Sequence, residues 1–422
     1  MLTTALRIHG KNDLRLETFE LPPLQDDEIL AELVTDSICM SSHKAAIQGP
    51  DHKRVPKDVD KNPTIIGHEF SGFLRQVGRK WADKFHPGQR FCIQPAVEYK
   101  GSLDAPGYSY KYVGGMATWI VIPHFIMEGG CLLPYDGAGF FQASLSEPMS
   151  CIIGAVHAQY HSKHHSYEHQ LGIVEKGRVA ILAGAGPMGL GCIDYLIHGP
   201  RKPSLLVVTD FDQNRLNRAV QLLPPSEGKK QGVRLVYLNT ADDKTAVKSM
   251  RDLTNGDGYD DAFVFAPVAP VIEQADAIMG RNGCLNFFAG PTRTDFTAKL
   301  NFYNIHYGGV HVVGTSGGNT DDMREALDLM SAGKVNPAAM ITHVGGMTCG
   351  AETIMKLPEI PGGKKLIYVQ HDLPLTAISD FEKLGKSSPF YAKLAEICAR
   401  TSGIWSAEAE AHFLANAPKL KT

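Results

Sequence analysis

Between residues 178 and 215 short apolar runs alternate with a glycine-rich turn. Val179-Ala180-Ile181-Leu182 is followed by Gly184-Ala185-Gly186-Pro187-Met188-Gly189, then by an apolar segment of helical length through Ile193 and Leu196. A second apolar run, Leu205-Leu206-Val207-Val208, ends on Thr209-Asp210. The pattern predicts strand, turn, helix and strand. Runs of buried-strand length at residues 233–238, 262–265, 284–288 and 310–313, separated by helical stretches, raise the count to six, enough for a doubly wound parallel sheet. Ahead of this region the period is two: residues 3–8, 14–17 and 28–33 alternate as strands of a small antiparallel sheet, with Pro22-Pro23 and Asp26-Asp27 as turns. Residues 147–157 read as the helix leading into the α/β region. Residues 314–327 read as a glycine loop and a helix capped by Asn319 or Thr320. Residues 362–369 form a closing strand, and residues 373–422 are mostly helical in pattern, an extension for packing or for contact between subunits. The chain therefore divides into 1–155 with 341–422, and 156–340.

The glycine turn carries the first chemistry. Gly184 allows the tight turn, Gly186 lets the backbone approach a pyrophosphate, and Gly189 lets helix and strand pack closely. Pro187 suits a first helical turn, where a missing N–H costs nothing, and Met188 lies in the same turn. The free N–H groups and positive dipole end of that helix suit phosphates. Such a turn also occurs in purely structural βαβ units, but here strand, helix, second strand and terminal acid agree in order and spacing. Asp210 can accept bonds from both ribose hydroxyls and repels a 2′-phosphate, which favours NAD(H); Arg215, within reach of an adenine face or a 2′-phosphate, keeps NADP(H) open.

Composition narrows the class. The 422 residues are 43% hydrophobic and 21% charged with a net charge of −3, which argues against nucleic acid as partner. No apolar stretch approaches the roughly 18 residues that span a bilayer, and the N-terminal MLTTALRIHGKNDLRLE is too polar for a signal peptide, so a cytoplasmic protein without membrane contact is expected. The eight cysteines are dispersed without a C-x-x-C pair, as in reduced proteins. His157, His161, His164, His165 and His169 could suggest a metal, but the polar stretch HSKHHSYEHQ reads as an exposed connector. The aromatic, glycine-rich residues 99–112 read either as a surface loop or as a loop facing a substrate cleft or partner subunit.

Cys39 and His68 are a thiol and an imidazole, ligand types that suit zinc, although their spacing equally fits a buried cysteine and a helix-end histidine. Gly67-His68-Glu69-Phe70-Ser71-Gly72, the upstream cysteine-serine segment, Gly114-Gly115-Met116-Ala117, Glu147-Pro148 and the nucleotide turn occur in the order seen in zinc-dependent medium-chain alcohol and polyol dehydrogenases. The chain resembles that family from residue 1 to about 370. The resemblance implies a Rossmann α/β domain joined to a mainly β, GroES-like catalytic domain, with the helical C-terminal extension additional, and a homodimer or homotetramer.

It further implies one catalytic Zn2+ per subunit, held by Cys39, His68 and Glu147, with Glu69 as an exchangeable ligand or a carboxylate beside the metal. Ser41 matches the hydroxyl that starts the family's proton relay. Ala266 and Ala289, at the ends of two strands, belong to segments whose backbone groups hold the nicotinamide carboxamide. Two positions depart from the family: Ser42 and Lys44 stand where aspartate and histidine are common, which leaves His43 as the candidate histidine of the relay. The region between Cys92 and Cys131 lacks the cysteine cluster of a second, structural zinc. Stretches including Cys39-Met40-Ser41-Ser42, Ala105-Pro106-Gly107-Tyr108-Ser109-Tyr110 and Ile360-Pro361-Gly362-Gly363-Lys364-Lys365 resemble a bacterial branch that reduces sugar-phosphate ketones. In that case His52, Lys53 and Arg54, with Lys44 behind them, are candidates to meet the phosphate, unless they form a solvated charge cluster. Hydride transfer with an unphosphorylated polyol or another secondary alcohol is the alternative, and a non-catalytic family member the remote one.

Overall fold

The computed structural model describes every residue except 164, 242 and 422, and residues 243 and 244 through their backbone alone. It divides into two units: Met1–Pro148 with Pro337–Thr422, and Met149–Asn336.

In the second unit the strands Arg234–Asn239, Leu205–Asp210, Arg178–Leu182, Tyr259–Val264, Met279–Phe287 and His311–Gly314 lie side by side in that order, every pair parallel. This is the doubly wound order, with the chain reversing direction across the sheet next to Arg178–Leu182. Leu205–Asp210 is buried along its whole length, as expected where helices cover both faces of a parallel sheet. Pro187–His198 is the helix after the glycine turn. A Cβ on Gly189 would lie 2.0 Å from the Gly184 carbonyl oxygen, so glycine is required for this approach of helix to strand. Asn319 caps Thr320–Ser331, and its side chain and that of Asp322 each accept the other residue's backbone N–H.

The histidine-rich stretch is exposed at residues 163, 165 and 167–170, as expected of a connector, but it forms a ribbon and its His161 is buried. The helix Phe140–His157 ends at its first histidine, and the strands Tyr160–Ser162 and His169–Leu171 form an antiparallel ribbon. His157, His161 and His165 therefore share no helical face, and His164 lies outside the described residues. His161 is buried, with Nδ1 donating to the Asn282 carbonyl and Nε2 on Asp261 at 3.0 Å. Local polarity hid a histidine that the sheet buries. His157 bonds Asp322 at 2.8 Å and Glu325 at 3.3 Å, and these carboxylates raise it to about 9. A histidine raised on folding stabilises fully below its ordinary value of 6.5, and the contribution is lost as pH rises through about 9. His157→Gln should therefore lower the melting temperature at pH 6 and leave it nearly unchanged at pH 10. Since the ring is half exposed, solvent keeps the effect modest; equal losses at both pH values would exclude this linkage.

In the first unit the strand Ile29–Ile38 pairs with Phe70–Val77, Trp119–Ile122 and Lys364–Tyr368 in an antiparallel arrangement. A smaller sheet joins Asp13–Glu20, Leu2–Gly10 and Thr64–Ile65. The apolar positions of both pack into one core through Leu6, Ile29, Leu33, Phe70 and Ile120, all nearly inaccessible. The C-terminal extension carries the helices Phe381–Gly385, Pro389–Arg400 and Ala407–Asn416. It docks through Trp405 and Phe413 on Tyr368, with ring centroids at 6.1 and 4.3 Å. Among the described residues no helix is long and apolar enough to cross a membrane.

Candidate active site

Strand register gathers residues that are distant in the chain. Ile29–Ile38 runs directly into Cys39, which caps the helix Met40–Gln48. A thiol at a helix start meets the positive dipole end, which favours a thiolate. Asp36 stands opposite Phe70, so His68 and Glu69, just before that strand, reach the same sheet end. On the other side Lys365 pairs with Ile38, which brings Lys364 to the cluster. Gly67 makes the turn possible: its φ is +96°, and a Cβ would lie 2.6 Å from Asp36 Oδ2.

One ligand atom each from Cys39, His68 and Glu69 lie within 4.8 Å of one another. The Lys364 ammonium bonds Glu69 Oε1 in a buried ion pair. Glu69 Oε2 is buried without a protein partner among the described residues. An orphaned carboxylate oxygen beside a thiol and an imidazole is costly unless a cation completes it, and this sulfur, nitrogen and oxygen set suits zinc. The residues present thus fit a zinc ion. Burial pushes the Cys39 thiol up, and the Lys364 charge pulls it back. Burial likewise lowers His68 and raises Glu147 to about 7. Glu147 acts electrostatically on His68 but stands outside the 4.8 Å set.

Hydroxyls surround the imidazole. Ser42 Oγ is 3.3 Å from His68 Nδ1, so the serine at the family's common aspartate position still partners this ring. Ser41 Oγ lies 3.0 Å from Cys39 Sγ and 3.2 Å from His68 Nε2. His43 is held by the fold through one ring nitrogen. Its Nδ1 donates to the Ile354 carbonyl at 2.8 Å, which commits that nitrogen to the fold.

Tyr108 was not singled out by sequence reasoning. It lies in the aromatic loop, buried, with its hydroxyl 3.3 Å from His68 Nε2 and its ring stacked on His68 at 4.8 Å. His52 stacks on Tyr108 at 5.6 Å, and the Arg54 guanidinium carbon lies 5.5 Å from the Tyr108 centroid. Arg54 Nε is buried without a partner among the described residues, whereas Lys53 is exposed. His52 is corrected in kind: burial, then Arg54 and Lys53, lower it to about 4, so it is a neutral ring at pH 7. Its Nδ1 accepts the Arg54 N–H at 3.2 Å, leaving Nε2–H as a donor. Burial also lowers the half-buried Lys44, and Lys53 acts in the same direction.

Lys364 was likewise missed, although two lysines inside an apolar strand pattern were a signal, since a buried ammonium must be paired. The neighbouring Lys365 donates to the carbonyls of Ile360, Pro361 and Gly363.

In the second unit Gly186 is the residue before the helix, and a Cβ there would meet open space, a surface that a ligand can approach. Pro187 and Met188 follow in the first helical turn. Asp210 Oδ2 accepts the Ala185 N–H at 3.2 Å and Oδ1 that of Asp212 at 3.1 Å, tying the second strand's end to the glycine turn. Arg215 is exposed and pairs with Asp212 at 3.6 Å. Ala289 donates to the Val264 carbonyl, and the Ala266 carbonyl accepts from Val268.

A doubly wound parallel sheet with a glycine turn, together with a β-rich unit holding a thiol, imidazole and carboxylate cluster, defines a zinc-type dehydrogenase. Residues 25–128 match the alcohol dehydrogenase GroES-like domain and residues 206–332 the zinc-binding dehydrogenase domain. The chain is 50% identical to mannitol-1-phosphate 5-dehydrogenase of Aliivibrio fischeri, over 98% of this chain and 97% of that one. It is 49% identical to L-sorbose 1-phosphate reductase of Klebsiella pneumoniae, over 98% of each. In fold it resembles 2R,3R-butanediol dehydrogenase of Bacillus subtilis, with TM-score 0.70 and 20% identity, over 87% of this chain and 99% of that one. The chain belongs to the zinc-binding alcohol dehydrogenase family and is an oxidoreductase.

Proposed function

We propose that the enzyme interconverts a ketose 1-phosphate and its alditol phosphate with a nicotinamide cofactor, L-sorbose 1-phosphate and D-glucitol 6-phosphate being the first pair to test. The observation that carries this reading is the buried Nε of Arg54, without a partner among the described residues, beside Tyr108, whose hydroxyl bonds His68. A buried guanidinium nitrogen without a partner calls for an anion, and Arg recognises phosphate by charge and geometry together. The names of the two half-identical relatives separate phosphate and reacting carbon differently. In a 2-ketose 1-phosphate they are neighbours; in oxidation of mannitol 1-phosphate at C5 they are four carbons apart. An anion site one aromatic ring from His68 favours the neighbouring arrangement.

In this reading Cys39, His68 and either Glu69 or Glu147 hold zinc. The bound metal supplies a Lewis acid for the substrate oxygen, and the nicotinamide carries the hydride. The overall reduction takes up one proton: ketone, NAD(P)H and H+ give secondary alcohol and NAD(P)+. Ser41 Oγ is the group positioned to give that proton to the substrate oxygen. Ser42 at Nδ1 and the stacked ring of Tyr108 hold the His68 imidazole, and Arg54, the His52 Nε2–H and Lys44 bind the phosphate. Gly184, Gly186 and Gly189 serve the pyrophosphate, and Asp210 the ribose, a preference for NAD(H) that the exposed Arg215 moderates. A homodimer or homotetramer remains part of the proposal.

The test compares L-sorbose 1-phosphate, L-sorbose and D-mannitol 1-phosphate, each with the matching forms of both nicotinamides. Phosphorylated sorbose should be strongly preferred over the free sugar. Arg54→Ala should lower kcat/KM for it about 10- to 100-fold, the value of a charge-assisted hydrogen bond, and leave the free sugar unaffected. Equal turnover of sorbose and its phosphate by the unaltered enzyme would sink the phosphate reading.

A further inference from the structure

We infer that Glu410, in the C-terminal extension, is a positioning residue for the active site, clamping the helix that carries Glu147 to the strand that carries Lys364. Glu410 lies in the helix Ala407–Asn416 and is buried. Its Oε2 accepts the Phe140 N–H at 2.6 Å and its Oε1 the Phe141 N–H at 2.9 Å. These are the first residues of Phe140–His157, so a carboxylate from some 270 residues away satisfies helix N–H groups that have no partner within the helix. Oε1 also accepts the Tyr368 hydroxyl at 3.0 Å, and Tyr368 in turn accepts from Trp405 Nε1 at 2.8 Å. Tyr368 ends the strand that Lys364 begins.

The capped end is registered to the other candidate ligands. Ser71 Oγ lies 2.8 Å and Thr35 Oγ1 3.3 Å from the Phe140 carbonyl oxygen, and the Thr35, Ser71 and Ser144 hydroxyls lie within hydrogen-bond distance of one another and share their three protons among these contacts. Thr35 is on the strand that runs into Cys39, and Ser71 is two residues past Glu69. Phe140, Ser144 and Glu147 are spaced to share one helical face. Ser144 of the hydroxyl cluster thus lies one turn before Glu147, and Glu410 fixes the helix start a turn earlier, at Phe140 and Phe141. A helix end held in this way cannot slide or rotate without breaking charge-assisted bonds inside the protein.

This inference rests on Glu147 being a ligand, and the experiment separates the two claims. Cobalt(II) replaces zinc in the full-length enzyme, and its visible ligand-field bands and its rate of release to a chelator are measured. The Glu147→Gln variant tests the ligand assignment. Glu410→Gln keeps the volume but turns an NH2 donor toward a backbone N–H, so it cannot accept both helix bonds. Leu394→Ala, in the same extension and making none of these bonds, supplies a destabilised control. The expected result is altered bands and release about 10-fold faster or more in Glu410→Gln, with the bands of the control unchanged. Altered bands in Glu147→Gln but wild-type bands and release in Glu410→Gln would overturn the inference and leave the ligand assignment intact. Wild-type bands in Glu147→Gln would remove the ligand assignment and the inference with it. Should Glu410→Gln not fold, Tyr368→Phe breaks the strand side of the clamp alone and is held to the same two outcomes, with a smaller change expected.

Discussion

Replacing Cys39 by alanine is expected to lower kcat at least about a thousandfold, because a Lewis acid at the substrate oxygen is worth several kcal/mol of transition-state stabilisation. Cys39 contributes the soft donor of the three-atom cluster, and its sulfur also accepts the Ser41 hydroxyl at 3.0 Å. The substitution therefore removes a candidate ligand together with one local contact at the helix start. Zinc content should fall from one per chain toward zero after dialysis. Binding of the reduced nicotinamide, followed by its fluorescence, should stay within about twofold, since the glycine turn and Asp210 belong to the other unit. A fully active, metal-free Cys39→Ala enzyme would dispose of the zinc mechanism.

What the chain discloses from its residues alone depends on how local each feature is. The glycine turn was legible because strand, turn and helix are contiguous, and the close approach at Gly189 depends on Gly184, five residues before it. Cys39 and His68 were legible as ligand types, but their proximity depends on Asp36 standing opposite Phe70, a register that no local pattern specifies. Lys364 lies 295 residues from Glu69, so its role depends on a strand added from the far end of the chain. Tyr108 was hidden for a different reason: an aromatic and glycine-rich loop reads the same whether it faces solvent or folds its ring onto an imidazole. His161 shows the opposite error, since polar neighbours suggested exposure while its own side chain is buried on Asp261. In each case a tertiary partner overrides the composition of the surrounding residues.

The buried pair of Lys364 and Glu69 leads to the second large effect. Burial pushes the Lys364 ammonium down, but Glu69, Cys39 and Glu147 outweigh it and hold it above its ordinary value, so it is charged throughout the physiological range. Methionine at position 364 would match the stem and delete the charge, leaving a buried carboxylate whose other oxygen is already without a partner among the described residues. Breaking a buried pair from one side costs about 3–5 kcal/mol, and the metal-free protein should bear all of it. Zinc can restore part of the loss by giving Glu69 a cation, so the gap between metal-free and zinc-loaded melting temperatures should be wider in Lys364→Met than in the unaltered enzyme. Activity should still fall, because Glu69 loses the bond that holds one oxygen on the strand and becomes free to compete with substrate for the metal. Calorimetry of both proteins, with and without zinc, decides the matter. A metal-free Lys364→Met protein as stable as the metal-free parent would mean that Lys364 compensates no buried charge.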